Sequence, residues 1–232
     1  MCGRFTLFSK LNSLLQQLAI ESAVEYEPRY NIAPTQEVPI FHYDEDGNNR
    51  VRFMRWGLIP SWSKDKSIGS RMINARSETV ATKPAFRSAF KRRRCLVPAD
   101  GYYEWLRDGK KKVPYLIQTK EKQPFAMAGL WETWTGDSEP IASFTIITTT
   151  SNDATSFVHD RMPVILNADS FDSWLSPDFE DNEKLQQLMI PYDDNAIHLS
   201  QVSPHVNSVK NDDPTCIVEV TDPPLSQSQL WD

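Results

Sequence analysis

Apolar and polar positions alternate in short blocks along the chain, and helical periodicity is concentrated in a few segments. Leucines recur at helical spacing near the N-terminus, which predicts an amphipathic helix over residues 10–20 with Ser9 as its N-cap. Pro84 opens a second predicted helix, which runs to about Lys91, because proline is tolerated in the first helical turn. Two later helices are predicted over residues 170–175 and 180–189.

The rest of the pattern predicts β-structure. Residues 37–43 and 50–56 form a predicted hairpin whose turn, 44–49, carries Asp46-Gly47. Asp108-Gly109 closes a second hairpin. The remaining strands, those of this hairpin included, are predicted over residues 95–97, 102–107, 113–119, 125–131, 143–150 and 196–202. Because helices and strands are mixed without a regular alternation, the prediction is a single compact α+β domain centred on antiparallel sheet, with peripheral helices.

The domain is predicted to span residues 1–222. Residues 223–232 are rich in Ser, Gln and Pro and are predicted to form a loose tail. No apolar run approaches the roughly 18 residues needed to span a bilayer, and the N-terminus lacks the pattern of a secretory signal. Three cysteines without a CxxC pair predict neither a disulfide framework nor a zinc site, so a cytoplasmic location is expected.

Composition is that of an ordinary globular chain, but the charge is unevenly distributed. The net charge of −6 over 232 residues by itself argues against nucleic-acid binding. Residues 50–112, however, hold 17 Lys and Arg against 5 Asp and Glu. This basic segment indicates a face for an anionic partner. The alternative is that the runs 91–94 and 110–112 are solvated surface.

Cys2 is the first candidate for chemistry. If the initiator Met is removed, the chain begins with a cysteine that carries both an α-amine and a thiol. The amine has an ordinary pKa of about 7.7–8.0, so part of it is neutral near pH 7.5. Such an aminothiol captures aldehydes, because the amine forms a Schiff base that the thiol closes to a thiazolidine. The alternative is that Met1 stays and Cys2 has no chemical role.

Two further ionisable residues lie in distinctive surroundings. Glu104 stands among aromatic residues, where desolvation would raise its pKa toward the range useful for proton transfer; the alternative is a strand residue that faces solvent. His159 and Arg161 are two positions apart, so on an extended segment their side chains point the same way. The other three histidines are scattered without metal-ligand spacing and are interpreted as structural or surface residues.

Six short motifs together indicate a family. They occur in the order Met1-Cys2-Gly3-Arg4-Phe5, Tyr30-Asn31-Ile32-Ala33-Pro34-Thr35, Arg55-Trp56-Gly57-Leu58-Ile59-Pro60-Ser61-Trp62, Asn74-Ala75-Arg76-Ser77-Glu78, Gly101-Tyr102-Tyr103-Glu104-Trp105 and His159-Asp160-Arg161-Met162-Pro163. In this order, and over nearly the whole chain to about residue 220, they resemble the SOS-response-associated peptidase (SRAP) family, whose members crosslink to abasic sites in single-stranded DNA. The motifs show no departure at the catalytic positions.

The resemblance implies a fold and a catalytic set. The expected fold is a compact α+β domain around a barrel-like sheet. Cys2 would be the crosslinking nucleophile, and Asn74 would position the cysteine or the sugar. Glu104 would shuttle protons for the amine and for release of the adduct. His159 would protonate the sugar oxygen as the deoxyribose ring opens to its aldehyde.

The resemblance also implies the binding partner. Single-stranded DNA that contains abasic sites would be held at its phosphates by Arg4, Arg76 and Arg161, while Trp62 and Trp105 would stack on exposed bases. Neither a metal nor an organic cofactor is expected. The protein would act as a monomer in the cytoplasm, associated with the nucleoid when it is bound to DNA.

Three other functions compete with covalent capture. An N-terminal-nucleophile amidotransferase would also begin Met-Cys-Gly and use Cys2 on an amide carbonyl, but nothing in the sequence supplies an ammonia-accepting domain. A peptidase would use Cys2, Asn74, Glu104 and His159 on a peptide bond, and removal of its own Met1 would be a limited form of this activity. A passive single-strand-binding module would use the arginines and tryptophans without Cys2.

Overall fold

The computed structural model describes residues 2–20, 25–44, 46–179 and 181–220, and for Asp108 it describes the backbone alone. The predicted tail 223–232 and Glu180, the first residue of a predicted helix, lie outside the described residues. Within the described ranges, no helix is both long and apolar enough to cross a bilayer.

Thirteen strands dominate the described part of the chain. They are β1 (Phe5–Leu7), β2 (Arg29–Ile32), β3 (Glu37–Tyr43), β4 (Asn49–Trp56), β5 (Asn74–Arg76), β6 (Arg94–Ala99), β7 (Gly101–Asp108), β8 (Lys111–Thr119), β9 (Phe125–Trp134), β10 (Ile141–Thr150), β11 (Arg161–Pro163), β12 (Ile165–Leu166) and β13 (Ile197–Gln201). The α-helices are α1 (Asn12–Gln17), α2 (Arg87–Arg92), α3 (Asp153–Ser156), α4 (Phe171–Leu175) and α5 (Asn182–Leu188).

Five strands close into a barrel. The ring runs β10–β4–β3–β6–β9 and returns to β10. Its pairings are antiparallel except for β4–β10, which run parallel at Arg55↔Ser143 and Trp56↔Phe144. Closure satisfies the hydrogen-bonding groups that open sheet edges would leave unpaired. The expectation of a mainly antiparallel, barrel-like sheet is therefore confirmed. The one parallel pairing in the ring, β4 with β10, makes the barrel a mixed sheet.

A second, antiparallel sheet lies beside the barrel in the order β13–β8–β7–β1–β2. It shares one hydrophobic core with the barrel. Phe5 of β1, for example, packs edge-on against Trp56 of β4 with ring centroids 5.1 Å apart. This shared core makes the two sheets a single domain.

Both predicted hairpins are confirmed, and their turns show why. Between β3 and β4, Asp44 accepts backbone hydrogen bonds from Asp46 and Asn48 at 3.0 and 2.8 Å, and Gly47 takes a φ of +78° that suits glycine. Between β7 and β8, Gly109 has a φ of +57°. Turn chemistry is local, so these hairpins can be predicted without knowledge of the tertiary structure.

The helix starts were predicted less accurately. Leu11 rather than Ser9 is the N-cap of α1, and no side chain caps that helix. The backbone N–H of Ser9 instead donates to Asp100 Oδ2 at 2.8 Å. Pro84 lies in the turn before α2, which begins three residues later at Arg87. The tertiary contact of Ser9 with Asp100 accounts for the later start of α1, whereas before α2 the chain forms a local turn in which Phe86 N–H donates to the Lys83 carbonyl.

The basic run 91–94 is only partly solvated. Arg94 is buried, and its guanidinium donates to the backbone carbonyls of Trp174, Phe90, Lys91, Ser176 and Phe179. Burial lowers its pKa to about 10. Arg93 pairs with Glu132 at 2.7 Å. Two of the four positive charges in this run are therefore used inside the fold.

Candidate active site

The pairing of β1 with β7 brings Cys2 to Glu104. Phe5 lies opposite Tyr102, and the N–H of Tyr103 donates to the carbonyl of Arg4 at 2.9 Å. The same antiparallel register, continued backward along the chain, sets Cys2 and its neighbour Gly3 beside Glu104. The Cys2 side chain is fully buried. Cys2 and Glu104 are 102 positions apart in the sequence. The strand that brings them together, β1, is too short to be predicted from the sequence.

Asn74 reaches the same place from the barrel. Strand β5 pairs parallel with β10, and from its first position Asn74 Nδ2 donates to the Cys2 carbonyl oxygen at 2.7 Å. This hydrogen bond holds the backbone of Cys2 rather than its thiol. Asn74 is therefore placed to orient Cys2.

The ionisable groups in this site are strongly shifted by burial. Burial raises the pKa of the Cys2 thiol far above its usual range, and the nearby Glu104 carboxylate raises it further. Burial also raises the pKa of Glu104 to about 7. A carboxyl with that pKa exchanges protons readily near neutral pH, which is what a general acid or base requires.

His159 lies near Glu104 with one ring nitrogen already engaged. Its Nδ1 accepts a hydrogen bond from the backbone N–H of Arg161 at 3.0 Å and lies 2.9 Å from an Asp160 carboxylate oxygen. Burial lowers the pKa of His159, while Asp160 raises it. In the neutral ring, acceptance at Nδ1 leaves the proton on Nε2, whereas the Asp160 carboxylate beside Nδ1 favours the imidazolium, in which both ring nitrogens carry protons.

A cavity of about 550 Å³ lies beside Glu104 and His159, and neither Cys2 nor Asn74 lines it. It is lined by Arg4, Glu104, Trp105, Arg107, Lys112, His159 and Asn207. Four of these residues were predicted from the sequence. Arg107 and Lys112 belong to the basic segment noted above but were not singled out. Asn207 carried no sequence signal, because it joins the site only through the 3₁₀ helix Pro204–Asn207.

Arg4 and Trp105 are held rigidly at this cavity. The guanidinium carbon of Arg4 lies 5.5 Å from the centroid of the Trp105 ring, within cation–π range. Arg4 Nη1 also donates to Asn31 Oδ1 at 2.6 Å and to the carbonyl of Val206 at 3.1 Å. Trp105 Nε1 donates to Asn207 Oδ1 at 2.6 Å. Both side chains are therefore in place before any ligand arrives.

Three predicted DNA-binding residues do not line the cavity. Arg161 is buried and forms a two-point ion pair with Glu78, with Nη2 3.0 Å from Oε2 and 2.6 Å from the carbonyl of Thr148. Arg76 is exposed on β5, and Trp62 is 62% exposed beyond the end of β4. DNA contact by these residues stays a prediction, and for Arg161 it competes with an internal ion pair.

One cluster among the described residues has metal-ligand chemistry. Side-chain atoms of His205, Asp213 and Cys216 lie within 4.8 Å of one another. His205 Nε2 lies 2.9 Å from Asp213 Oδ2, and Nδ1 lies 3.1 Å from Asn211 Nδ2. Both ring nitrogens thus have protein partners, and the cluster fits a hydrogen-bonded support for the loop that carries Asn207.

Known proteins resemble this chain over most of its length. The family model described as SOS response associated peptidase (SRAP) matches residues 1–209. The chain belongs to the SRAP family. An SRAP relative from Bacillus subtilis (strain 168), named abasic site processing protein YoqW, is 46% identical over 222 residues, which cover 94% of this chain and 99% of the relative. The chicken protein named abasic site processing protein HMCES is 34% identical, over 84% of this chain and 67% of its own length.

Solved structures show that the SRAP fold of this chain has close counterparts. A crystal structure of a protein from Bacteroides thetaiotaomicron aligns with a TM-score of 0.84 at 28% identity, over 94% of this chain and 100% of that chain. The family motifs of the SRAP chain lie on the elements described above. Those that carry Cys2, Asn74, Glu104 and His159 converge on one region although they are far apart in sequence.

Proposed function

We propose that this protein recognises abasic sites in single-stranded DNA and binds them covalently through Cys2. The observation that carries the proposal is the buried cysteine beside Glu104, next to a cavity that His159 and Arg4 also line. The names of the relatives as abasic site processing proteins support the same substrate. An abasic site supplies the aldehyde, in equilibrium with its closed hemiacetal, that an N-terminal aminothiol captures.

The covalent step follows from the two groups of Cys2. Hydrolysis of the Met1–Cys2 peptide bond frees the α-amine. The amine then adds to the C1′ aldehyde of the ring-opened sugar, and the adduct loses water to give an iminium ion. The thiol adds to the same carbon and releases its proton, which closes a thiazolidine. Hydrolysis of the Met1–Cys2 bond consumes one water, capture of the aldehyde releases one, and no redox step is involved.

Glu104 and His159 supply the proton transfers. Burial gives the Cys2 thiol a high pKa, so sulfur attack needs a base, and Glu104 with a pKa of about 7 fits that role. The imidazolium form of His159, which the Asp160 carboxylate at Nδ1 favours, fits the acid that protonates the sugar ring oxygen from Nε2 as the ring opens. Asn74 holds the Cys2 carbonyl and so keeps the amine and thiol directed at the same carbon.

Binding of the strand would use cations and aromatic rings. Arg4 and Trp105, already fixed at the cavity, would contact the abasic nucleotide and its neighbour. Exposed Trp62 and Arg76 would extend the contact by stacking and phosphate pairing. Arg161 would contribute to DNA binding only to the extent that its pairing with Glu78 leaves its charge accessible.

Replacement of Cys2 by Ala tests the proposal directly. We expect Cys2→Ala to abolish the protein–DNA band that survives denaturation without borohydride, because no sulfur remains to close the ring. Noncovalent binding of the same oligonucleotide should fall far less. Electrophoresis under denaturing conditions measures the first, and fluorescence anisotropy measures the second.

Cys95→Ala is the matched control, since it removes another fully buried thiol and should leave the band at its wild-type intensity. Intact mass spectrometry of the wild-type N-terminus shows whether the α-amine is free. Adducts that persist at the wild-type yield in Cys2→Ala would reject covalent capture by Cys2.

A further inference from the structure

Two cations face each other at the rim of the cavity. In the antiparallel pairing of β7 with β8, Arg107 lies directly opposite Lys112. Both side chains are exposed, and both line the cavity together with Glu104 and His159. Opposed residues of an antiparallel pair have Cβ atoms about 5 Å apart, so the two side chains leave the sheet side by side and a single anion can lie within reach of both.

This arrangement costs stability in the free protein. Like charges directly opposite each other on a sheet are destabilising. In the part of the chain that the structure describes, neither Arg107 nor Lys112 has a carboxylate within ion-pair distance, whereas other exposed lysines do, such as Lys66 with Asp137 and Lys122 with Glu219. Two cations side by side on a cavity wall, with no carboxylate paired to them among the described side chains, suit an anion-binding position.

The pair continues a row that begins deeper in the site. Trp105 and Arg107 are two positions apart on β7, so they lie on the same face about 7 Å apart. Arg4 covers the Trp105 ring at 5.5 Å. The row therefore runs from Arg4 through Trp105 to the cation pair. Cations that alternate with an aromatic ring are the pattern by which proteins follow a single strand.

We propose that Arg107 and Lys112 together bind a backbone phosphate of the DNA strand next to the abasic nucleotide in the cavity. This inference rests on the proposed function and names a position that the strand occupies. The phosphate neutralises the two opposed charges, and its neighbouring sugar is then held beside Glu104 and His159. The pair thus supplies at the cavity a positive charge that buried Arg161 does not.

The test neutralises the pair and measures the salt dependence of binding. Arg107→Gln/Lys112→Gln, made in the Cys2→Ala background so that binding stays noncovalent, is titrated with a labelled oligonucleotide that carries one abasic site. Each lost phosphate contact reduces the slope of log K against log salt by ~0.7 for single strands. For the one phosphate proposed we expect a reduction of ~0.7, which is about 5-fold weaker binding at 0.1 M salt if affinities converge near 1 M.

The matched control is Lys110→Gln/Lys111→Gln at the tip of the same hairpin. It removes the same net charge, but neither lysine lines the cavity, so its slope should stay within about 0.3 of the parent. Equal losses in the two double variants would show a general field effect and overturn the proposal. An unchanged slope in Arg107→Gln/Lys112→Gln would also overturn it.

A thermal melt separates lost binding from lost folding. Removal of the like-charge contact should leave Tm equal or slightly higher. In proteins that retain Cys2, the control Lys110→Gln/Lys111→Gln should reach the wild-type adduct yield, whereas Arg107→Gln/Lys112→Gln should need more DNA to reach half of its maximal yield. Adduct formation together with an unchanged slope rejects only the phosphate position. Failure of every protein, including the wild type, to form an adduct rejects the proposed function.

Discussion

Glu104 is an acid whose surroundings oppose its ionisation. It is 5% exposed on β7, and burial raises its pKa from an ordinary 4.5 to about 7. Below pH 4.5 it is protonated in both the folded and the unfolded chain. Between pH 4.5 and 7 the unfolded chain loses the proton while the folded chain keeps it, so the free energy of unfolding falls as pH rises.

Glu104→Gln should remove this pH dependence. We expect the variant to be similar to the wild type near pH 4.5 and more stable above pH 7, by up to about 3 kcal/mol at ~1.4 kcal/mol per unit of pKa shift. Urea denaturation at pH 5, 6, 7 and 8 measures the difference. Parallel stability curves for the two proteins would mean that Glu104 has an ordinary pKa and would remove the basis for its assignment as a proton shuttle.

At the scale of elements, the strands β5 and β11 each pair with β10 over only three residues, and a side-chain ion pair adds a further link between their segments. The ion pair of Arg161 with Glu78 ties β11 to the turn that follows β5. Arg161 is nearly buried, whereas the Glu78 side chain is 49% exposed. This partial exposure is compatible with two roles for Arg161: a structural contact with Glu78, or a positive charge that DNA can reach.

Arg161→Ala and Glu78→Gln together decide which role dominates. If the contact is structural, both variants should lose about 1–3 kcal/mol of unfolding free energy, as expected for hydrogen bonds to charged groups. Glu78→Gln should then leave the salt slope of DNA binding unchanged. If Arg161 holds a phosphate, Glu78→Gln should bind DNA at least as tightly as the wild type, while Arg161→Ala lowers the slope by ~0.7. Denaturant melts and salt titrations of both variants provide the comparison.

For the whole molecule, the closed barrel and the second sheet share one core, so we expect them to unfold together. Gly129 on β9 tests this. A Cβ at that position would lie 2.9 Å from Cys95 Sγ and Val97 Cγ2 and 3.0 Å from the backbone oxygen of Thr145. Gly129→Ala should therefore destabilise the protein by about 1–3 kcal/mol through overpacking.

The loss should appear as one shifted transition, coincident by tryptophan fluorescence and far-UV circular dichroism. Gly47→Asn is the control, because a Cβ there meets nothing within 4 Å and asparagine tolerates positive φ. Two separated transitions in Gly129→Ala would show that the barrel and the second sheet are independent folding units.

Much of the fold could be predicted where the deciding interactions are local. Both hairpins follow from turn residues such as Gly47 and Gly109, and the long strands follow from apolar runs. The strands β1, β2 and β5 could not be predicted, because three or four residues carry no periodicity and are stabilised by distant partners. The start of α1 was misplaced for the same reason, because Ser9 is held by Asp100, which is distant in sequence.

The sequence by itself determined the family through its ordered motifs, the α+β class through its turns and apolar runs, and the identity of the candidate residues Cys2, Asn74, Glu104 and His159. The tertiary structure decided what those residues can do. It set Cys2 beside Glu104 through the β1–β7 register, engaged Arg161 with Glu78, and left Arg107 opposite Lys112 at the cavity. The protonation state and the burial of these side chains depend on neighbours that are distant in sequence, so both are decided only when the chain folds.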